Sequence, residues 1–418
     1  MWPPADGDPS LSAPAPSAAP PPRFRPLRLR PREERRIRAG HPWVYSNEVD
    51  TRATPLTAFE PGEPVEVQAA DGRFLGTGYV NPHSLICARI ASRDRRHPFS
   101  RSLIVHRLKV ALGLRERLFE GPWYRLAHAE GDRLPGLVVD RYGEVLVAQL
   151  NTAGMERARE DVLAALEKVL RPRAVVLRND SPVRELEGLP RTVEVARGEP
   201  PAEVEVEEAG LRFRVPLLGG QKTGWFYDQR DNRLRLARYA RGARVLDLFS
   251  YAGGWGIRAA ACGAESVLCV DSSEAALARV AENARLNGVD GRVRTLRADA
   301  FEALAALRAE RARFDLVVLD PPAFVRRRRD LRAGVEAYRR LNRMAMQVLA
   351  KDGFLVTCSC SFHLERARFL ALVHEAARHV DRNLQLIERG HQAPDHPVHP
   401  AVPETDYLKC LVLRVSLA

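Results

Sequence analysis

The stretch from 245 to 271 constrains the fold more than any other part of the chain. It reads V-L-D-L-F-S-Y-A-G-G-W-G-I-R-A-A-A-C-G-A-E-S-V-L-C-V-D, which predicts a buried strand, a glycine-rich turn, a helix and a second strand that ends in an acid. Gly253, Gly254 and Gly256 allow a sharp turn and a close approach to a ligand. The pattern predicts one half of a doubly wound parallel sheet, whose ligands bind beyond the carboxyl ends of the strands.

Two carboxylates in this stretch indicate what the ligand is. Asp271 ends the second strand, at an offset from the glycines where a carboxylate can accept hydrogen bonds from a ribose diol. Asp247 precedes the glycines, where a dinucleotide fold usually has an apolar residue. A carboxylate there suits the amino group of S-adenosylmethionine and suits a pyrophosphate badly. A Rossmann dehydrogenase uses similar glycines, but the carboxylates favour S-adenosylmethionine.

The following strands also end in polar residues. Asp299 follows one strand and is expected to meet the adenine amino group, while F-D-L-V-V-L-D-P-P-A-F at 314 to 324 ends another. The prolines stop that strand at the ligand-binding edge. Asp320 and Phe324 would then face a substrate ring, although Pro-Pro alone is more typical of an ordinary turn.

A cysteine pair ends the last predicted strand, F-L-V-T-C-S-C-S-F at 354 to 362. A metal site would need a second ligand pair at usable spacing, so no metal is predicted, although His391, His396 and His399 keep this alternative open. A disulfide between Cys358 and Cys360 would be strained. The remaining readings are a structural pair or a catalytic thiol at the strand end, and we favour the catalytic thiol.

Several long motifs in one order identify a resemblance. They are R-x-G-H-P-W-V-Y-S-N-E-V at 38 to 49, A-E-G-D-R-L-P-G-L-V-V-D-R-Y-G at 129 to 143, K-T-G-W-F-Y-D-Q-R-D-N-R at 222 to 233, the glycine motif, D-P-P-A-F, T-C-S-C-S, and H-Q-A-P-D-H-P-V at 391 to 398. The chain resembles the class I S-adenosylmethionine-dependent rRNA methyltransferases that carry an N-terminal PUA domain and form 5-methylcytosine in 23S rRNA. The resemblance covers nearly everything from Arg28 to Val415. The family often has Lys where this chain has Ala323.

The motifs and the resemblance together imply the site residues. The expected cofactor-binding residues are Phe226, Asp228, Gln229, Arg230, Asp247, Phe249, Ser250, Tyr251, Gly253, Gly254, Asp271, Ser272, Asp299 and Asp320. The expected catalytic residues are Cys360, Asp320 and Cys358.

The chemistry of cytosine assigns their roles. Carbon 5 is a weak nucleophile until a thiolate adds to carbon 6. Cys360 is the expected nucleophile and Cys358 its support, and strand alternation predicts that both lie on one face. Activation of the thiol requires a nearby cation or helix N-terminus. Asp320 would bind the base or take a proton. Methylation of a base nitrogen, with structural cysteines, and a non-catalytic RNA-binding assembly factor remain alternatives.

Charge indicates a polyanionic partner. The net charge is +12, with a pI near 9.8, which makes a polyanionic partner plausible. The resemblance implies that this partner is 23S rRNA or a precursor of the large ribosomal subunit. The expected RNA-binding residues are Arg32, Arg35, Arg36, Arg38, Phe324, Arg326, Arg327, Arg328 and Arg329. A solvated loop is the alternative for the run 326–329. We expect a soluble, cytoplasmic protein without membrane contact, and a homodimer stays open.

Composition and periodicity predict four regions. Residues 1–22, rich in proline and alanine, are predicted to form a disordered tail and neither a secretory signal nor a transit peptide. Short alternating runs predict a β-barrel over 23–92, PUA-like by resemblance and RNA-binding. Residues 93–197 predict a mixed α/β domain, and 198–418, which begin with a hairpin turning at 208–210, predict the doubly wound methyltransferase domain.

Overall fold

The computed structural model describes residues 24–219 and 223–418. The tail predicted over 1–22 and Lys222 of the 222–233 motif lie outside the described residues. Across the described ranges, no helix combines the length and the apolar character needed to cross a membrane.

The first sheet has five strands in the order β1-β3-β4-β5-β2. Its elements are β1 (Arg25–Arg28), α1 (Glu34–Arg38), β2 (Trp43–Val44), β3 (Glu63–Gln68), β4 (Phe74–Val80) and β5 (Ala88–Ser92). A bridge between Leu29 and Val49 joins the chain after β1 to the chain after β2. Because β1 and β2 are the two edges, this bridge brings the edges together around a core that includes Leu27, Val65 and Ile90.

A second five-stranded sheet forms the middle of the molecule, in the order β10-β9-β8-β7-β6. Its elements are α2 (Arg101–Leu118), β6 (Trp123–His128), β7 (Leu137–Tyr142), β8 (Val145–Leu150), α3 (Ala153–Arg157), α4 (Arg159–Leu170), β9 (Ala174–Asn179) and β10 (Thr192–Gly198). Sequence periodicity predicts most of these but misses β6 and β10. β10 reads T-V-E-V-A-R-G, and its alternation of apolar and polar residues, Val193 to Val195, is too short to distinguish a strand from a loop.

The hairpin predicted at 208–210 is present. Its strands are β11 (Glu203–Glu208) and β12 (Leu211–Pro216), paired in register from Glu208–Leu211 outward. Ala209 and Gly210 both have positive φ, 48° and 76°, which suits a two-residue turn whose twist matches the strands. Val206 and Phe213 pack with Trp225 and Val147, so the hairpin connects the middle sheet to the C-terminal domain.

The C-terminal domain is a seven-stranded sheet in the order β15-β14-β13-β16-β17-β19-β18. Its elements are α5 (Arg230–Leu234), β13 (Arg244–Leu248), α6 (Gly254–Ala261), β14 (Ser266–Asp271), α7 (Glu274–Leu286), β15 (Val293–Arg297), α8 (Ala300–Ala309), β16 (Phe314–Leu319), α9 (Leu331–Val348), β17 (Leu349–Ser359), α10 (Arg366–Arg378), β18 (Arg382–Gly390) and β19 (Lys409–Leu417). The first five strands of this order pair in parallel. β19 is antiparallel to both of its neighbours. We propose a similar division of the described chain, at 92/93 and after Gly198, because β10 pairs with β9 through Gly198 and so extends one residue past the predicted boundary.

The direction in which successive strands are added to the sheet reverses at β13, which lies between β14 and β16. Connections from β13 and β16 therefore leave in opposite directions and open a crevice at the carboxyl edge. Apolar clusters cover both faces of the sheet: one includes Leu246, Leu319 and Phe369, and the other includes Val245, Trp255 and Val318. This packing fixes the strand ends that border the crevice.

A buried network joins the middle sheet to the loop between β18 and β19. Arg115, whose side chain is fully buried, donates to both carboxylate oxygens of Asp132 and to the backbone oxygen of Asp395. Asp395 accepts from the backbone NH of Arg125, 2.9 Å away, and pairs with His396 at 2.8 Å. The motif at 391–398 thus fastens two domains together.

Candidate functional site

A cavity of about 380 Å³ opens where β13, β14, β16 and β17 end. Its lining residues are Trp225, Phe226, Asp228, Gln229, Arg233, Phe249, Ser250, Tyr251, Gly254, Trp255, Asp271, Ser272, Asp299, Phe301, Asp320, Pro321, Pro322, Phe324, Cys360 and Leu408. Most of the predicted cofactor residues are therefore brought together at one place.

The turn after β13 has an unusual backbone. Phe249 and Tyr251 have φ of 64° and 47°, in the left-handed region that residues with a side chain adopt only at a cost. Asp271 holds this turn, because its Oδ2 accepts from the backbone NH of Tyr251 at 2.9 Å and its Oδ1 from that of Ser273 at 2.9 Å. The strain is thus concentrated in a segment that lines the cavity.

Asp247 lies beneath the turn, is completely buried and is absent from the cavity lining. Its Oδ2 accepts from the backbone NH of Gly256 at 2.9 Å. Burial, followed by repulsion from Asp320 and Asp271 and opposed by the Gly256 hydrogen bond, raises the pKa of Asp247 to about 8. Asp247 is therefore placed under α6 and not in the cavity wall, its Oδ1 is buried without a hydrogen-bond partner among the described residues, and its contact with the amino group of a ligand stays a prediction.

The cavity itself carries an excess of negative charge. Asp228, Asp271, Asp299 and Asp320 all line it, whereas the one guanidinium that lines it within the described ranges, that of Arg233, is paired with the buried Glu208. Four carboxylates around a small cavity favour a cationic ligand and disfavour a pyrophosphate. The excess of acids therefore supports the same ligand that Asp247 was expected to select.

Asp320 is fixed from two sides. Its Oδ1 accepts from Nε2 of Gln229 at 2.8 Å and its Oδ2 from Nε1 of Trp255 at 3.0 Å. Both donors are neutral N–H groups, and hydrogen bonds of this kind stabilise the carboxylate form. The side chain of Gln229 is held in turn by Asn232, which donates to its Oε1 at 2.7 Å.

The two cysteines occupy different surroundings. Cys360 lines the cavity, whereas Cys358 is 1% exposed and packs in the core beside Val356 and Cys410. β17 ends at Ser359, so Cys360 lies just beyond the strand, while Cys358 is buried within it near Gln229 and Asp320 of the cavity; the prediction that both side chains share one face stays a prediction. Burial, then its neighbour Cys410, raises the pKa of Cys358 well above the ordinary value for a thiol.

Lys409, which sequence reasoning missed, lies close to Cys360. It is the first residue of β19, is 3% exposed, and donates from Nζ to the backbone oxygen of Ser361 at 2.6 Å. Burial, followed by repulsion from Arg366, lowers its pKa to about 8, and the neighbouring Cys360 acts in the opposite direction. Lys409 is therefore the cation expected from the sequence near the thiol.

Two further predicted cofactor residues lie elsewhere. The guanidinium of Arg230 lies over the ring of Phe119, 4.3 Å from its centroid, and donates to the backbone oxygen of Trp123. Gly253 forms the turn with φ of 84° but does not line the cavity. Both predictions of ligand contact are therefore corrected to structural roles: Arg230 is used in packing, and Gly253 shapes the backbone.

Other lining residues were not predicted. They are Trp225, Arg233, Trp255, Phe301, Pro321, Pro322 and Leu408. Trp225 and Arg233 lie inside the 222–233 motif and Trp255 lies between two glycines, so the signal was present in the motifs. Leu408 had no such signal, because only the tertiary fold brings the start of β19 to the cavity.

Comparison with known proteins identifies the family. Residues 185–414 match the S-adenosylmethionine-dependent methyltransferases, and residues 27–93 match a PUA-like domain. The chain belongs to the S-adenosylmethionine-dependent methyltransferase family. Its cofactor is S-adenosylmethionine.

Relatives of this methyltransferase match along almost its whole length. A ribosomal RNA large subunit methyltransferase I from Shewanella denitrificans is 39% identical over 396 residues, covering 93% of this chain and 99% of the relative. A protein of the same name from Aeromonas salmonicida is 38% identical over 387 residues, covering 91% and 97%. The crystal structure of SMU.776 complexed with SAH is 20% identical, with a TM-score of 0.80 over 94% of this chain and 100% of that chain, and shows the same fold.

The cavity of the methyltransferase fits this cofactor. S-adenosylmethionine is cationic at its sulfonium and ammonium groups, and the four lining carboxylates provide the opposite charge. The hydroxyl of Ser250, which lines the cavity, is buried without a hydrogen-bond partner among the described residues, and a polar ligand would satisfy it. Across those ranges, no cluster of three or more His, Cys, Asp and Glu side chains could hold a metal ion.

The predicted RNA-binding residues of the methyltransferase fall into two surfaces. Phe324 lines the cavity, with its ring 4.7 Å from that of Tyr338, and the run 326–329 is exposed directly after it. Arg32, Arg35 and Arg38 are exposed on the first domain. Arg36 is corrected to a structural role, because it donates to both oxygens of Glu48, at 2.7 and 2.8 Å.

Proposed function

We propose that this protein transfers a methyl group from S-adenosylmethionine to carbon 5 of a cytosine in the 23S rRNA of the large ribosomal subunit. The family supplies the donor, and the names of the two relatives support the rRNA substrate. One observation carries the choice of carbon 5: Cys360 and Asp320 line the same cavity as the turn at 249–251.

The thiol solves the main chemical difficulty of carbon 5 methylation. The Sγ thiolate of Cys360 adds to carbon 6 of the ring, which forms a C–S bond and moves the ring electrons onto carbon 5. Carbon 5 would then attack the methyl group that bound S-adenosylmethionine supplies, which breaks the bond between that methyl group and the sulfonium sulfur and leaves S-adenosylhomocysteine. Loss of the carbon 5 proton then expels the thiolate and restores the double bond between carbons 5 and 6.

Asp320 is the proposed base for that proton. The N–H groups of Gln229 and Trp255 donate to its two oxygens, which favours the charged carboxylate over a protonated form that would bind the ring at N3. The base role is therefore better supported than the binding role.

The target base must leave its helical stack to enter the cavity. Phe324 lies at the cavity wall and offers a ring on which an extruded pyrimidine can stack. The neighbouring arginines of the run 326–329 are exposed and can contact the flanking phosphates.

Trapping tests the covalent step. Large-subunit rRNA that contains 5-fluorocytosine should form a stable adduct with the wild-type protein. The fluorine occupies the position from which a proton must be removed, so the thiolate is not expelled after methyl transfer. The Cys360→Ser variant should form neither adduct nor methylated product while its S-adenosylmethionine affinity stays unchanged, since serine has no accessible anion near neutral pH. Denaturing gels and mass spectrometry of digested RNA measure both.

Cys358→Ser is the matched control. It removes the thiol two residues earlier, in the core, and should retain trapping. If the two variants exchange these results, Cys358 is the nucleophile. If neither variant affects methylation, covalent catalysis is excluded, and methylation of a base nitrogen beside Asp320, Pro321 and Pro322 takes its place. Absence of methyl transfer by the wild-type protein would favour a non-catalytic assembly factor.

A further inference from the structure

Three arginines from different elements meet at the junction of the first two sheets. Arg93 follows β5, Arg107 lies in α2, and Arg133 ends the turn after β6. All three line two cavities, of about 460 and 890 Å³, which share these side chains and Gly131. The two cavities are therefore parts of one depression, called here the three-arginine groove.

The acids around the groove are engaged by other groups. Glu130 accepts from Nε1 of Trp43 at 2.8 Å, Asp94 pairs with Arg96 at 2.9 Å, and Asp132 pairs with Arg115 at 2.6 Å. In contrast, within 24–219 and 223–418 none of the three groove arginines forms an ion pair with a carboxylate. The three groove arginines therefore have no ion-pair partner of their own among the described residues, and Glu130 is the one groove acid whose hydrogen-bond donor, Trp43, is neutral.

The crowding of positive charge affects the pKa values of the groove residues. Partial burial, followed by repulsion from Arg133, lowers the pKa of Arg107 to about 10. The same two causes lower the pKa of Arg93, where solvent screens them more because that residue is exposed. Burial also lowers the pKa of His399, which lines the first cavity; Glu130 opposes this, and Arg133 and Arg93 add to it. An anion placed among these groups would relieve their mutual repulsion.

The backbone at Arg133 is also constrained. Its φ is 58°, and its carbonyl oxygen accepts from a guanidinium nitrogen of Arg107. A left-handed conformation at a residue with a long side chain is retained when its surroundings require it. Arg133 belongs to the 129–143 motif, which the catalytic cavity does not use.

We propose that the three-arginine groove binds the phosphate backbone of the RNA substrate. Guanidinium groups match phosphate oxygens with two parallel hydrogen bonds. A continuous groove of two cavities suits a run of phosphates better than one isolated anion, and it borders the PUA-like domain. The inference rests on the proposed function, since it assumes an RNA substrate, but it concerns a surface outside the catalytic cavity.

Neutralising the groove tests the inference. The triple variant Arg93→Gln, Arg107→Gln and Arg133→Gln should bind a transcript of bacterial large-subunit rRNA about tenfold or more weakly at moderate salt. The slope of log affinity against log salt should flatten by roughly 2, which corresponds to about 0.7 for each of three lost contacts. Methylation should show a raised KM with kcat and S-adenosylmethionine affinity unchanged.

A control triple variant removes the same charge elsewhere. Arg241, Arg294 and Arg308 are exposed and line neither the groove nor the catalytic cavity, so their replacement by Gln should leave the slope nearly unchanged. Equal affinities and slopes for the two triple variants would overturn the inference. An acidic protein segment would then be the better candidate for binding in the groove. If the groove triple variant fails to fold, the single variants at the exposed Arg93 and Arg133 test it, each with an expected slope change of about 0.7.

The inference and the proposed function can fail separately. If the wild-type protein methylates an atom other than carbon 5, the binding result still decides the role of the groove. If methylation of carbon 5 is found and the groove triple variant binds RNA as tightly as the wild-type protein, only the groove inference is lost.

Discussion

Side chains that are close in sequence can have opposite environments in this protein. Cys358 and Cys360 are two residues apart, yet only Cys360 lines the cavity. Asp247 lies one residue before the end of β13 and Asp271 ends the adjacent β14, yet Asp247 is buried beneath the turn while Asp271 borders the cavity. At the residue scale, the position of a side chain relative to its strand end decides whether it meets a ligand.

Asp271 should contribute directly to cofactor affinity. Asp271→Ala removes a cavity carboxylate and the acceptor that holds the turn at Tyr251. We expect S-adenosylmethionine binding to weaken by about 1 to 3 kcal/mol, the range for a charge-assisted hydrogen bond, and calorimetry measures it. Asp290→Ala removes an exposed carboxylate outside the cavity and should leave affinity unchanged. Tight binding by the Asp271 variant would contradict the assignment.

Lys409 should make the thiol of Cys360 more reactive. Lys409→Gln removes a positive charge near the thiolate, so alkylation of Cys360 by iodoacetamide should slow several-fold at pH 7. Because the pKa of Lys409 is lowered to about 8, the wild-type lysine loses its charge above that pH, and the difference between the two proteins should shrink there.

Mass spectrometry of the Cys360 peptide measures the alkylation rate. Lys351→Gln, at the exposed beginning of β17, is the control and should alkylate like the wild-type protein. A rate difference that stays constant from pH 7 to pH 10 would show that Lys409 acts through packing and not through its charge.

At the element scale, close packing of α6 on β14 requires Gly256. A Cβ at this position would lie 2.5 Å from Sγ of Cys269 and 3.1 Å from Oδ2 of Asp247. Gly256→Ala should therefore lower the free energy of unfolding by about 1 to 3 kcal/mol, as overpacking does. Gly113→Ala, in the interior of α2 with open space around it, should instead raise it by up to about 1 kcal/mol. Urea unfolding compares the two, and equal shifts would contradict the packing argument.

Elements with strong periodicity could be predicted from sequence, and those without it could not. The apolar run of β13 and the turn at Ala209-Gly210 are readable because local residue types determine them. β10 was missed because its alternation spans only Val193 to Val195 and is followed by Arg197 and Gly198. Lys409 and Leu408 were missed for another reason: only the pairing of β19 with β17 brings them to the cavity, and no local pattern records that pairing.

For the whole molecule, Arg115 should couple the middle and C-terminal domains. Arg115→Met leaves the largely buried Asp132 unpaired and removes the hydrogen bond to Asp395. We expect a loss of about 3 to 5 kcal/mol, typical of breaking a buried ion pair, and a calorimetric melt that separates into two transitions. Arg117→Met, exposed on the same helix, should shift stability by less than about 0.5 kcal/mol. A single unshifted transition in the Arg115 variant would contradict this coupling.

The order of the last strands has a consequence for how the protein is made. β18 is synthesised before β19, yet β19 lies between β17 and β18 in the sheet. Until β19 emerges, β18 has no neighbour to pair with, and β17 presents an open edge to other chains. Cys360, which follows β17, also has no neighbouring lysine until then, because Lys409 is the first residue of β19. A nascent chain therefore lacks the proposed pairing of Cys360 with Lys409, and has an open sheet edge that can mispair, until β19 is inserted.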